Sequence, residues 1–177
     1  TLLAEINPRS DALLMNLGGR MAELGSVLGA YPDHPPPRIN FEWALGQAGN
    51  IMERSLDVLG SPQRALIELT LEDFLDNERD FLGLGSQIIH GDVNDHNVLV
   101  SLNKEGQAHI SGIIDLGDAH SAPRVFDLAI AIAYGIIGTA DPLLAASEIT
   151  RGYYAVQPLL DIEIDVLMTL VCARLGQ

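Results

Sequence analysis

Two groups of oxygen-bearing side chains stand out from an otherwise aliphatic sequence. The first lies in Ile89-His90-Gly91-Asp92-Val93-Asn94-Asp95-His96-Asn97-Val98-Leu99-Val100, where a carboxylate is followed five residues later by a carboxamide that leads into an apolar run. The second is Ile113-Ile114-Asp115-Leu116-Gly117-Asp118, an apolar run with a carboxylate at its end. Such groups can accept a proton and bind a hard cation. Asp92 can take the proton of an attacking hydroxyl and orient it. Asn97 and Asp115 offer oxygen donors that suit Mg2+ better than zinc. Asp118 can join that set or orient it. The short loop from Asp92 to Asn97 lets both side chains reach one pocket.

Positioning these groups requires a hairpin. Val98-Leu99-Val100 and the run Ala108 to Ile114 read as two strands with a turn over Asn103 to Gly106. Helices surround them. Leu13, Leu14, Leu17, Met21, Leu24 and Leu28 recur at helical steps and predict a helix from about Ser10 to Gly29, capped by Ser10 or Asp11. The prolines at Pro35 to Pro37 break the chain into an extended loop over Asp33 to Pro37. Phe41 to Leu59 reads as a helix interrupted by Gly46 and Gly49, and Ser61-Pro62 opens a helix reaching about Phe81. Arg124 to Ile137 is apolar on nearly all faces, which predicts a buried helix. Pro142 to Val156 and Leu159 to Leu175 complete a helical C-terminal region. The expected fold is mainly α-helical α+β, one domain over residues 1–177, with a central β-hairpin carrying both motifs.

Composition narrows the partners. The 177 residues carry 24 acidic against 10 basic side chains, a net charge of −14, which argues against a nucleic-acid backbone or an anionic membrane surface as partner. An acidic surface suits a cationic ligand such as an amine, and also serves plain solubility. The single cysteine, Cys172, excludes an internal disulfide and reads as core filler. Trp43 is expected in the core, with a pocket wall as the alternative. No secretory signal is visible, and the longest apolar run, Leu128 to Gly138, falls short of the ~20 residues a membrane span takes. The expectation is a soluble, cytoplasmic protein.

The Asp92-to-Asn97 spacing matches a kinase catalytic loop, and Asp115-Leu116-Gly117 stands where kinases carry Asp-Phe-Gly. With Asp127-Leu128-Ala129 downstream, the stretch from His90 to Asp127 resembles the aminoglycoside phosphotransferase and choline kinase family, whose pattern is HGDxxxxN, IDxxD and a later Asp-Leu-Ala. Within it, HGDVNDHNVLV and GDAHSAPRVFDLAIAIAYGI look most like hydroxylysine kinases and related amino-alcohol kinase domains. The resemblance implies the C-terminal lobe of a protein-kinase-like fold. It implies Mg2+-dependent transfer of phosphate from ATP or GTP to the hydroxyl of a small, amine-bearing acceptor. By that resemblance Asp92 is the catalytic base, and Asn97 and Asp115 hold the metal that bridges the nucleotide phosphates. Asp127 is a structural carboxylate holding the catalytic loop from beneath. Its position in an apolar helix independently requires partners, which loop N–H groups would supply. His90 orients the loop or is a plain core histidine. Asn94 and Asp95 contact substrate or shape the turn.

The kinase pattern also needs a nucleotide-covering loop and a phosphate-pairing lysine in a first lobe. The sole lysine, Lys104, lies in the predicted hairpin turn, and neither G-x-G-x-x-G nor G-x-x-x-x-G-K-[ST] occurs. The expectation is a catalytic lobe without its N-terminal nucleotide-binding lobe, weakly active by itself. Two other readings compete. One is a metal-dependent hydrolase with zinc on His90, Asp92 and His96 completed by Asp115 or Asp118. The other is a kinase-like module kept for binding alone.

Overall fold

The computed structural model describes residues 1–33, 35 and 41–177. Most of the expected loop over Asp33 to Pro37 lies outside the described residues. Ser10 caps α1 (Asp11–Gly29) by accepting from the Leu13 N–H at 3.3 Å, and the helix turns Leu13, Leu14, Leu17 and Met21 into the core. The region expected as one interrupted helix forms α2 (Ala48–Ser55), flanked by 3-10 turns at Leu45–Gln47 and Leu56–Val58. Next come α3 (Ser61–Asp76), capped by Gly60 instead of Ser61, and α4 (Glu78–Leu82). One continuous helix to Phe81 was expected; Asn77 divides it. Its side-chain amide donates to the Asp73 carbonyl at 2.8 Å, competing with the backbone ladder.

Two small antiparallel sheets follow. β1 (Ser86–Ile89) pairs with β4 (His120–Pro123), Ile89 facing His120 and Ser86 facing Pro123. Between them in sequence, β2 (Val98–Leu102) and β3 (Ala108–Ile113) form the expected hairpin, Val98 facing Ile113 and Leu102 facing Ala108. Asn103 shapes its turn by accepting from the N–H groups of Glu105 and Gln107 at 3.0 and 2.9 Å. The β1–β4 pair was not expected. It clamps together the chain entering the first motif and the chain leaving the second. Thr1 and Leu2 lie along β2, with the Val100 N–H bonded to the Thr1 carbonyl at 2.9 Å and Leu2 bridged to Leu99.

The helix α5 (Val125–Gly135) runs through the core and is buried on nearly every face, as its uninterrupted apolar sequence requires. α6 (Pro142–Val156) and α7 (Asp161–Gly176) enclose it with α1. Phe74, Phe81 and Phe126 pack as a chain of rings, with centroids 4.8 and 5.9 Å apart. The result is mainly helical α+β. Trp43 departs from expectation, since it is 58% exposed and not in the core. Cys172 is half-buried in α7, where burial and then Asp73 push its thiol pKa up. Among the described residues, no helix is long and apolar enough to cross a membrane.

The helices α1 and α6 cross in close contact. A Cβ on Gly152 would stand 1.8 Å from the Met15 carbonyl oxygen, and one on Gly18 would stand 1.9 Å from that of Ile149. Backbone meets backbone there, and nothing flexible can yield. Gly152→Ala is therefore expected to destabilise the chain by ~3 kcal/mol or more in urea unfolding. A change below ~1 kcal/mol would mean that the crossing can open freely.

Candidate active site

The site is built on one buried carboxylate. Asp127 sits in the first turn of α5 and is 4% exposed. Its Oδ2 accepts from the His90 N–H at 2.7 Å and its Oδ1 from the Gly91 N–H at 2.8 Å. Burial pushes its carboxyl above the usual range, against the pull of those two N–H groups and of the nearby His90 and His120. Gly91 has φ of +83°, and a Cβ there would meet the Asp118 carbonyl at 2.7 Å, so the loop can turn only with glycine at this position. His90 is fully buried. Its Nε2 lies 3.0 Å from the Ile114 carbonyl, and its Nδ1 accepts from the Asp92 N–H at 3.3 Å. The ring thereby ties the first motif to the second.

Asp92 emerges from this turn with a quarter of its side chain exposed. Its Oδ2 accepts from the amides of Asn94 and Asn97 at 2.8 and 3.0 Å. Asn94 also closes the loop, its Oδ1 accepting from the N–H groups of His96 and Asn97 at 2.8 and 3.2 Å. Asp95 is paired with the buried Arg9 at 2.7 Å, and its carbonyl accepts from the Ala4 N–H at 3.0 Å. The contacts that Asn94 and Asp95 make here shape the loop. His96 is exposed.

Asn97 and Asp115 are brought side by side by the backbone, because the Ile114 N–H donates to the Asn97 carbonyl at 2.9 Å. The Asn97 amide donates to both the backbone oxygen and Oδ2 of Asp92, at 2.9 and 3.0 Å. Its side-chain oxygen therefore faces the other way and accepts no hydrogen bond from a described residue. Asp115 is exposed at the end of β3 in a left-handed conformation, φ 67° and ψ 72°, with Oδ1 accepting from the Gly117 N–H at 3.2 Å. Asp tolerates this region better than most residues, and such backbone is often kept where a side chain must be aimed. A free carboxamide oxygen beside an exposed carboxylate fits a hard divalent cation. Asp118 ends the short 3-10 turn Leu116–Asp118, and its carbonyl lies 2.8 Å from His120 Nδ1. The zinc set considered from sequence is not assembled. Both ring nitrogens of His90 are engaged, and among the described residues no three His, Cys, Asp or Glu side chains converge on one point.

Two residues that sequence reasoning missed complete the site. Arg9 joins Asp95 to the end of α5, donating to the Tyr134 and Gly135 carbonyls at 2.6 and 2.9 Å. Arg174, near the end of α7, reaches Asp92 Oδ1 at 3.2 Å. Arg174 had a signal, a lone cation in the apolar run Leu170 to Leu175.

With this geometry in hand, comparison with known proteins is decisive for the family. Residues 1–159 match the model of APH, the phosphotransferase enzyme family. The chain belongs to that family. Among relatives of this family member are the hydroxylysine kinases of Mus musculus and Bos taurus. They are 34% and 33% identical to it over 95% and 99% of its length. The chain spans about half of each, 47% and 48%. Among solved structures, APH(2'')-IIIa in complex with GDP and kanamycin superposes with a TM-score of 0.65 at 19% identity, over 98% of this chain and 55% of that one. Amicoumacin kinase hAmiN, with AMP-PNP, Ca2+ and Ami, gives 0.60 at 14% identity, over 93% and 49%. The mainly helical fold thus matches about half of an aminoglycoside-kinase structure, consistent with a kinase-like C-terminal lobe.

Asp127→Ala would leave two buried N–H groups without acceptors. A loss of ~2–5 kcal/mol in urea unfolding is expected. Asp127→Asn should recover only part of it, since a carboxamide has one acceptor for two donors. A loss below ~1 kcal/mol for the alanine variant would show that the loop does not depend on this carboxylate.

Proposed function

We propose that this chain is the catalytic lobe of a small-molecule kinase, one that moves the γ-phosphate of ATP or GTP to a hydroxyl of an amine-bearing acceptor. The observation that carries the reading is the Asp92–Asn97–Asp115 arrangement. A carboxylate held by two amides stands next to two outward oxygen donors, on a loop fixed by buried bonds. In the reaction the acceptor oxygen forms a bond to the γ-phosphorus as the bond to the β-phosphate bridging oxygen breaks. Asp92 receives the hydroxyl proton, and the nucleoside diphosphate leaves. Asn97 and Asp115 would hold Mg2+, with Asp118 as a further ligand or support; a bound Mg2+ neutralises phosphate charge. His90, Asn94, Asp95 and Asp127 hold the loop so that Asp92 needs little reorganisation when substrate arrives.

The acceptor class rests on two supports. The relatives at 30–34% identity are hydroxylysine kinases. The charge of −14 favours an ammonium-bearing ligand over an anionic one. A phosphotransferase also needs a nucleotide-covering element, and we assign that role to a separate N-terminal lobe of the kind seen in two-lobed kinases.

The test is phosphate transfer by the natural polypeptide that carries this chain. ATP and GTP are each supplied with Mg2+ against 5-hydroxylysine, choline, ethanolamine and an aminoglycoside. Asp92→Asn is expected to lower kcat by ~10²–10⁴-fold. Asp115→Asn should raise the Mg2+ concentration needed for half-maximal rate. Full turnover by Asp92→Asn, or no product with any acceptor from folded protein, would overturn the reading.

A further inference from the structure

Arg174 is unusual in a way that the loop's own architecture does not explain. Its side chain is only 4% exposed, yet its Nε–H has no partner among the described residues. Buried donors are nearly always satisfied, so an orphan calls for a reason. Nη1 is fixed from the far side by the Trp43 carbonyl at 2.8 Å and the Gln177 side-chain oxygen at 3.0 Å, and the guanidinium lies 5.5 Å from the centre of the Tyr134 ring. What remains, Nη2, meets Asp92 Oδ1 at 3.2 Å. The guanidinium is thus held by α5, α7 and the segment before α2. Asp92, a quarter exposed, is the end of the pair that reaches the surface.

The two oxygens of Asp92 are unequal. Oδ2 is occupied by Asn94 and Asn97, whereas Oδ1 meets Arg174 alone among the described residues, at 3.2 Å. That contact is longer than the ~2.7–2.9 Å of a tight charge-assisted bond. Oδ1 therefore keeps lone-pair capacity for one more donor. We infer that Arg174 is a positioning residue that fixes the Asp92 carboxylate so that Oδ1 is the oxygen presented to the acceptor hydroxyl. This deepens the kinase reading and rests on it. The orphaned Nε–H then has a physical sense. The guanidinium is placed where Asp92 is steered, not where all its own donors are met.

The test is a double-mutant cycle in the natural polypeptide, measured by steady-state phosphate transfer. Arg174→Met is expected to lower kcat ~10- to 100-fold with KM for nucleotide and acceptor unchanged, because it misplaces the base without touching either ligand. In the Asp92→Asn background the same change should cost nothing further, since Arg174 acts only through Asp92. If the methionine variant fails to fold, the cycle is run with Arg174→Lys, which keeps the charge but cannot reach Asp92 and the Trp43 carbonyl with one planar fork. An unchanged kcat, or losses that multiply in the double variant, would overturn the inference and leave Arg174 a structural clamp. Full activity of Asp92→Asn would instead remove the kinase reading itself, and the inference with it.

Discussion

Everything at the site depends on a helix that meets charge at both ends inside an apolar core. α5 is buried along its length, and its first turn holds Asp127. Isolated, that carboxylate would be costly to bury. Its position at a helix N-terminus and its two N–H partners offset the cost, and burial remains the larger influence on its pKa. The partners are the backbone of His90 and Gly91, so the motif loop is held where the helix begins. At the other end Arg9 caps the Tyr134 and Gly135 carbonyls while its second nitrogen holds Asp95. One helix therefore fixes the loop at two points, residues 90–91 and residue 95. Asp92 lies between them.

The hairpin adds the third restraint. β3 delivers Asp115 past the end of its pairing with β2, and the Ile114 N–H reaches back to Asn97. His90 contacts the same residue from the other side, through the Ile114 carbonyl. Ile114 is thus the point at which the two motifs are joined, by main-chain groups that any residue would supply. The chemistry-bearing side chains are left free to point elsewhere. This division, with backbone and buried groups for position and exposed oxygens for reactivity, lets Asp115 sit exposed and left-handed without the loop losing its shape.

The parts of this arrangement that could be read in advance are those written locally. The Asp92-to-Asn97 spacing, the hairpin turn at Asn103 to Gly106 and the apolar run of α5 each declare themselves within a dozen residues. Asp127 was legible because a carboxylate in such a run demands partners. The same reasoning applied to Arg174 in α7 would have flagged it, but the partner, 82 positions away, has no local trace. Arg9 is harder still. It follows a proline in an irregular segment, and its bonds span 86 to 128 positions. The β1–β4 pair is hidden because each strand has four residues, too few for alternation to show. Trp43 stands outside the core because the part of it that the fold holds is its backbone carbonyl, a contact with no trace in the local sequence.

The distribution of charge also bears on what the site can accept. Of the arginines near the motifs, Arg9 is paired with Asp95 and Arg174 with Asp92. Each cation is more than nine-tenths buried, while Asp115 stands exposed. The two cations therefore stabilise the loop from within and contribute little field outside, and with a net charge of −14 the protein as a whole favours cations over anions. A polyphosphate entering such a region needs a divalent cation to reverse the sign, which the paired oxygens of Asn97 and Asp115 suit. An acceptor bearing an ammonium group needs no such help, because the field that repels phosphate attracts it. The acidic surface thus disfavours a polyphosphate unless a metal accompanies it and favours an ammonium group unaided, which is the physical ground for the acceptor class proposed above.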